Sequence, residues 1–418
     1  MKTFLFAFAS ICAVAVHAAD IGRVIVRQQW PWSTNINVDF ELSGVSPSAP
    51  ADISLRCFNG ASEIPAATVE AALSGTRYAL TEGGTYTLTL DPAVLFPSGT
   101  KTVPDFRVTV AAAATSEIDT EVIYKIIDLA TGDTTNLRRV DFYNHPETYG
   151  TYVTNFAALG GTTGLSNVFI WTGVTNNADY TSSKLVLRKI PAAGAEWPFG
   201  SSSSLCTARL TSNFWIAVFP LTQAQYYTLK SSYGGDYYDE EKYPQHEKFP
   251  VARIAWRDFN GHIADPAFSL IAGRSGLTVN FPTEMQWEFA ARGGASGDYC
   301  GYSGIDEIAW HKYNAGSAPM PVGLKKPNAF GLYDVVGNLI EFCRDWYDGN
   351  ALPTGTEQTL ENYEGVSEAA ATAYNSQPQK VGRGGYFGTV NPTIYTRMGS
   401  KTTSGNQYYG LRILAVEP

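Results

Sequence analysis

The stretch RGGYFGTVNPTIYTRMGSKTTSGNQYYGLRI, from Arg383 to Ile413, is dense in Tyr, Asn, Thr, Ser and Arg but holds no Cys, His, Asp or Glu. Such residues supply rigid aromatic anchors and adaptable hydrogen-bonding groups, the chemistry of contact rather than of proton transfer. The candidate ligand contacts are Tyr386, Phe387, Asn391, Tyr395, Arg397, Asn406, Tyr408 and Tyr409. The competing reading packs alternate rings inward and leaves the polar residues to solvent. Arg383 and Arg412 are expected to pair with buried carboxylates. The glycines of GRGG are expected to permit close backbone approach to a core, or a positive φ, rather than to cradle phosphate.

Elsewhere the reactive residues are sparse. Beyond Cys12 the cysteines are Cys57, Cys206, Cys300 and Cys343. None forms a paired CxxC, so zinc is not expected, and the thiols read as structural or buried. An oxidising compartment permits disulfides, and four cysteines allow three full pairings that sequence does not separate. His145, His246, His262 and His311 are scattered, with no helical pair at i, i+4. The acidic run GGDYYDEEKYPQHEKFP reads as a solvated loop rather than a hydrolytic carboxylate pair. No GxSxG, HExxH or phosphate-binding glycine loop is present.

The elements that must position these residues begin after the first 18. MKTFLFAFASICAVAVHAAD places Lys2 before an apolar run and small residues around Ala18. That is the pattern of a secretory signal peptide over 1–18, cleaved near Ala18; the run is short of the ~20 residues a membrane span needs. Ile11 before Cys12 argues against a lipoprotein anchor. The expected location is secreted, periplasmic or cell surface, and the expected source bacterial. No other apolar stretch approaches membrane length. The net charge of -9, without basic blocks, argues against nucleic acid or an anionic bilayer as partner.

A chain of 418 residues exceeds one ordinary core, so two or three domains are expected. Over 20–113 the runs RVIVRQQW, INVDFELSG, ADISLRCF, TYTLTLDP and DFRVTVAA alternate between turn residues and read as an all-β, immunoglobulin-like sandwich. Residues 114–182 read as a connecting region or small subdomain. Over 183–418, Thr283 and Gln286 form a capping box opening a helix from about Glu284 to Arg292, stopped at Gly293 and Gly294. Thr222 similarly caps a helix within 221–233, and Asp265 with Pro266 opens another. Past Pro321 the helical pattern fades. The fold class is α+β, with short helices and much irregular chain.

FWIAVFPLTQAQY, FPVARIAWRDF, FPTEMQWEFAARGG, PVGLKKPNAFGLYDVVGNLIEFCRDWY, GRGG and GLRI follow one another in this order. In these six blocks the region of about 183–415 resembles the formylglycine-generating enzyme (sulfatase-modifying factor) family. The resemblance implies an irregular α+β fold related to C-type lectins. It also implies a copper chemistry, in which two cysteines shortly after the RGG block hold the metal and oxidise a sulfatase cysteine to formylglycine. Cu(I) requires soft thiolates. Read without gaps from Arg383, the two positions hold Thr389 and Ile394, and the last cysteine in the chain is Cys343. Copper is therefore not expected. Nor does the chain offer the histidine cluster of the related iron-dependent sulfoxide synthases.

The resemblance further implies that GNxxE contributes to a structural calcium site, here through Asn338 and Glu341, and hard oxygen donors suit Ca²⁺. Asn338 in a left-handed turn, with Glu341 paired to an arginine, is an equal reading. The family's second calcium site needs an Asp-bearing insertion that YNAGSAPMPVG lacks. The closing stretch falls near the concave face of the family's domain. A secreted, noncatalytic member binding a protein or glycan is the expected function. The alternatives are a formylglycine-generating or related oxidase with unconventional ligands, and a structural cell-surface component. Related domains serve retroelement systems as binding proteins diversified in a similar C-terminal stretch.

Overall fold

A computed structural model of the chain describes residues 19–28, 34–97, 105–162, 165, 168–200, 206–230, 248–253, 255–259, 267–349, 359–403 and 405–418. The expected signal peptide, His246, His262, the caps Asp265 and Pro266, and the acidic run as far as Glu247 lie outside the described residues. The chain divides into two compact units, Met1–Glu121 with Arg139–Pro146, and Val122–Arg138 with Glu147–Pro418.

In the first unit the alternating runs become strands. They are β1 (Asp20–Gln28), β2 (Ile36–Ser43), β3 (Ala51–Asn59) with the short β4 (Ser62–Glu63), and, after α1 (Ala66–Ala72) and β5 (Leu73–Ser74), β6 (Gly84–Leu90). Beyond α2 (Pro92–Leu95) come β7 (Phe106–Ala114) and α3 (Glu117–Thr120). The sheets run β1-β2-β6-β5 and β4-β3-β7. Period-two alternation turns Val38, Phe40 and Leu42 of β2, Ile53, Leu55 and Cys57 of β3, and Leu88 and Leu90 of β6 into one shared core. The all-β expectation is corrected by the helices. Asp91 accepts a hydrogen bond from the Ala93 N–H with Pro92 in the first turn, which starts α2. Val69 and Ala72 of α1 join the same core.

The second unit opens with β8 (Val122–Asp128) and β9 (Thr134–Arg138). The chain then passes through α4 (Arg139–Asn144), which belongs to the first unit, and α5 (Pro146–Tyr149). Next come β10 (Lys184–Ile190), β11 (Glu196–Phe199), β12 (Cys206–Arg209), β13 (Phe214–Ala217), α6 (Gln223–Leu229), α7 (Trp256–Phe259), α8 (Ala267–Ser275), β14 (Thr278–Asn280) and α9 (Glu284–Arg292). The remainder is β15 (Ala309–Trp310), β16 (Val336–Gly337), β17 (Ile340–Tyr347), β18 (Thr359–Glu361), α10 (Glu368–Tyr374), β19 (Gln379–Arg383), β20 (Arg397–Lys401), β21 (Tyr409–Gly410) and β22 (Leu414–Val416).

The largest sheet runs β14-β22-β13-β10-β8-β9, so two strands before Ser183 pair into the same sheet as the last strand of the chain. A four-stranded sheet, β20-β19-β17-β21, carries the GNLIEF, GRGG and closing segments together. Both capping boxes form. Thr222 and Gln225 close on each other at α6, and Thr283 and Gln286 at α9, which ends on Gly293 in the left-handed region. Thr283→Ala is expected to cost about 1 kcal/mol, read as a lower denaturant midpoint of the second unit; an unchanged midpoint would show that the cap is dispensable. Past Pro321, where no helix is expected, α10 forms on Ser367, whose hydroxyl accepts from the Ala370 N–H.

Candidate functional site

Strand β17 sets Glu341 opposite Arg383 of β19, and α9 packs against both strands. The Glu341 carboxylate accepts from Arg412 Nη2 at 2.7 Å and Nε at 3.0 and 3.1 Å, and from Trp287 Nε1 at 2.7 Å. Arg412 also donates to the carbonyls of Ala217, Val218 and Tyr333. Arg383 pairs with Glu284 at 3.2 Å and with Glu288, and donates to the Ile394 carbonyl at 2.9 Å. Both arginines thus hold buried carboxylates, as the sequence predicts. The turn after Arg383 needs its glycines: Gly384 and Gly385 sit at φ 87° and 76°. A Cβ on Gly384 would stand 2.8 Å from the Val335 carbonyl and 3.1 Å from the Trp287 ring.

The eight candidate contacts separate into two groups. Tyr386, Phe387 and Tyr408 come together, with ring centroids 4.5 Å apart for Tyr386–Tyr408, 5.4 Å for Tyr386–Phe387 and 5.8 Å for Phe387–Tyr408. They form a small cluster with buried Ala252, Ala315 and Leu339 and half-buried Trp310 and Met320. Asn406 joins them, its Oδ1 accepting from the Tyr408 N–H at 3.0 Å. Asn391 is exposed in a left-handed turn before Pro392.

The others are turned elsewhere. Tyr395 lies with the Arg292 guanidinium 5.2 Å from its ring centroid. Arg397 donates to Glu284 Oε1 at 2.7 Å. Tyr409 is buried, stacked on Phe342 at 5.0 Å, and its hydroxyl donates to the Gly399 carbonyl. Those last two stand on β20 and β21, the edge strands of the four-stranded sheet, and their contacts with Glu284 and Phe342 belong to the fold. Trp310 and the loop after it were not among the sequence candidates. The aromatic and lysine content of AWHKY and GLKK was the available signal.

The residues do not fit the metals that the resemblance implies. Thr389 Oγ1 accepts from the Tyr386 N–H at 3.0 Å, and Ile394 is fully buried in the apolar core beside Met285 and Trp287. Neither is a soft donor. All four cysteines are free and buried. Burial pushes the Cys300 thiol up to about 12 and raises Cys343 well above the usual thiol range, with Asp345 and Glu284 adding to the latter, so neither offers a thiolate at neutral pH.

For calcium, Asn338 sits at φ 59° with Oδ1 accepting from the Met320 N–H and Nδ2 donating to its carbonyl, both at 3.0 Å. With both Glu341 oxygens taken by Arg412 and Trp287, this pair is engaged in protein contacts. Among the described residues no group of three or more His, Cys, Asp and Glu gathers where a metal ion could be held.

The domain that these blocks build has a family. A model of the sulfatase-modifying factor enzyme 1-like domain matches residues 193–416, and the chain belongs to that family. It is 27% identical over 231 residues to the chaperone protein LppX of Paenibacillus barcinonensis, covering 43% of this chain and 79% of that one. To the formylglycine-generating enzyme of Thermomonospora curvata it is 30% identical over 155 residues, covering 33% and 44%. To the inactive C-alpha-formylglycine-generating enzyme 2 of Bos taurus it is 30% identical over 115 residues, covering 24% and 34%. The chain therefore spans less than half of each of these last two relatives. Among solved structures it is similar to Treponema denticola variable protein 1, at TM-score 0.46 and 20% identity, covering 57% of this chain and 96% of that one. No helix among the described residues is long and apolar enough to cross a membrane.

Proposed function

We propose that this chain is an exported, noncatalytic member of its family that binds a protein or glycan through the face made by Tyr386, Phe387 and Tyr408. In this reading the first unit is an immunoglobulin-like sandwich that presents the binding domain. The observation that carries it is the exchange at the metal positions. Thr389 brings a hydroxyl already bonded to the Tyr386 backbone and Ile394 an alkyl group buried in the apolar core, while the half-buried rings of Tyr386 and Tyr408, packed on buried Phe387, remain in the segment around Thr389. Side chains of this kind anchor contact surfaces. The names of two relatives, an inactive formylglycine-generating enzyme and a chaperone protein, are consistent with the scaffold serving without oxidase chemistry.

Two experiments test the reading on the full mature chain. Incubation with copper, oxygen and a sulfatase-derived peptide bearing the target cysteine is expected to give no formylglycine, and turnover would sink the proposal. A panel of proteins and glycans is expected to yield a ligand whose affinity drops about tenfold or more in Tyr408→Ala and stays unchanged in Tyr395→Ala. Equal loss in both variants would move the contact away from the aromatic face.

A further inference from the structure

The first unit keeps one strand largely outside its own core. Val24 and Val26 of β1 stand across from Phe40 and Val38 of β2 and share their face of the sheet. Phe40 and Val38 are buried, whereas Val24 is 37% and Val26 40% exposed. Ile25, on the opposite face across from Asp39, is 36% exposed. The core therefore ends at β2 on this side. Strand β7, which lies close to β1, shows the same border, with Val108 and Val110 only half-buried.

The backbone of β1 is also open along one side. The strand ends the β1-β2-β6-β5 sheet, so among the described residues its second edge meets no strand. A nine-residue edge strand with three consecutive exposed apolar residues is a template for a further strand. Bulges and charges commonly blunt such edges, but here both lie outside the triad. The register shifts between Ile21 and Val24, and the arginines stand at 23 and 27. Arg27 is already neutralised, donating to Asp39 from Nε at 2.5 Å and from Nη2 at 3.1 Å.

What fits this edge is written in β1 itself. Arg23-Val24-Ile25-Val26-Arg27 reads the same in both directions, so two antiparallel copies can face each other about a twofold axis at Ile25. Ile25 then meets Ile25, and each Val24 meets the other copy's Val26. Directly opposite residues project from the same face, so core-side valines meet core-side valines, and a slip of one residue would break that match. A self-complementary segment of this kind makes the isologous contact of a twofold dimer. At the ends of the triad each Arg23 meets an Arg27 whose charge Asp39 has taken up.

We propose that β1 is the interface between two copies of this chain, which pair antiparallel about Ile25 and continue the sheet across the dimer. The pairing uses no residue of the aromatic face, so it holds whether or not the binding reading does. Two joined copies would engage a repetitive ligand with avidity.

Sedimentation velocity on the full mature chain, from about 1 to 200 µM to suit a small interface, is expected to show monomer passing to dimer. Ile25→Lys sets two ammonium groups against each other at the axis and is expected to weaken the dimer by about tenfold or more. Because Ile25 lies on the face away from the core, the melting temperature should match the parent's where both are monomeric. Ile25→Thr keeps the β-branch and repeats the test if the lysine variant misfolds. Cysteine substitution reads the register. The four native cysteines are buried, and Cβ atoms directly opposite lie about 4.5–5.5 Å apart. Under mild oxidation Ile25→Cys is therefore expected to give a covalent dimer several times faster than Val26→Cys, whose facing residue is Val24. A chain that stays monomeric throughout, or a dimer indifferent to Ile25→Lys and Ile25→Thr, would overturn the proposal. Equal cross-linking through positions 25 and 26 would overturn the pairing about Ile25.

Discussion

Arg412→Met is expected to destabilise the second unit by about 3–5 kcal/mol, the range for removing one partner of a buried ion pair. Arg412 is 1% exposed and donates to five acceptors, the two Glu341 oxygens and the carbonyls of Ala217, Val218 and Tyr333. Methionine fills similar volume but satisfies none of them. Glu341, itself 1% exposed, would keep only the Trp287 indole as donor. Arg412→Lys keeps the charge but lacks the planar fork, so an intermediate loss is expected. Glu341→Gln in the methionine background removes the uncompensated charge and should restore part of the stability. Denaturant unfolding, followed by the tryptophans of the second unit, reads all three variants. A loss below about 1 kcal/mol in Arg412→Met, outside the range for a broken buried pair, would show that the closing segment is held in place by packing alone.

How much of this was legible in the sequence depended on the distance between partners. Thr222 with Gln225 and Thr283 with Gln286 are three residues apart, and both boxes could be read directly. The alternation in β2 and β3 was equally plain because each strand writes its own burial pattern. Helix α10 was missed since EAAATAY buries only Ala371 and has no apolar stripe; Ser367 before Glu368 was the remaining signal. In the site, types were legible and directions were not. Tyr408 and Tyr409 are neighbours of the same kind, yet one joins the half-buried aromatic cluster and the other stacks on Phe342 in the core. The parallel pairing of β17 with β21, which sets Tyr409 beside Ile340, decides between them, and it joins segments that no local pattern connects. Trp310 was overlooked for the same reason: its partners Tyr386 and Tyr408 lie in other blocks.

The second large effect concerns pH. Asp345 is 1% exposed; its Oδ2 accepts from the Glu284 N–H at 2.7 Å, while its Oδ1, like Oε2 of Glu284, is buried without a hydrogen-bond partner. Burial, reinforced by the Glu284 charge, raises the Asp345 carboxyl from 3.8 to about 7. Arg344 opposes the rise, as does the hydrogen bond from Glu284, but they do not cancel it. The folded state therefore keeps a proton at Asp345 that the unfolded chain has already released, and between about pH 4 and pH 7 the contribution of this group to stability falls as pH rises. At about 1.4 kcal/mol for each pH step of one across that window, the loss by pH 8 is about 4 kcal/mol.

Asp345→Asn keeps the shape and cannot ionise. It also turns an amide donor toward the region where Glu284 has an oxygen to spare. The variant is expected to be more stable than the parent at pH 7.5 by about 2–4 kcal/mol and nearly equal at pH 4. A residual slope should persist below pH 6, because burial also raises Asp334 to about 6. Lys380, held between Trp256 and Trp346 and lowered by burial to about 8, stays charged through most of this window and contributes little to the slope. Unfolding free energies at half-unit steps from pH 4 to 7.5 decide the matter. A variant whose slope matches the parent's would mean that Asp345 is ionised in the folded state. Arg383 and Arg397, both paired with Glu284, would then have to hold two adjacent carboxylate charges at the base of α9 rather than one.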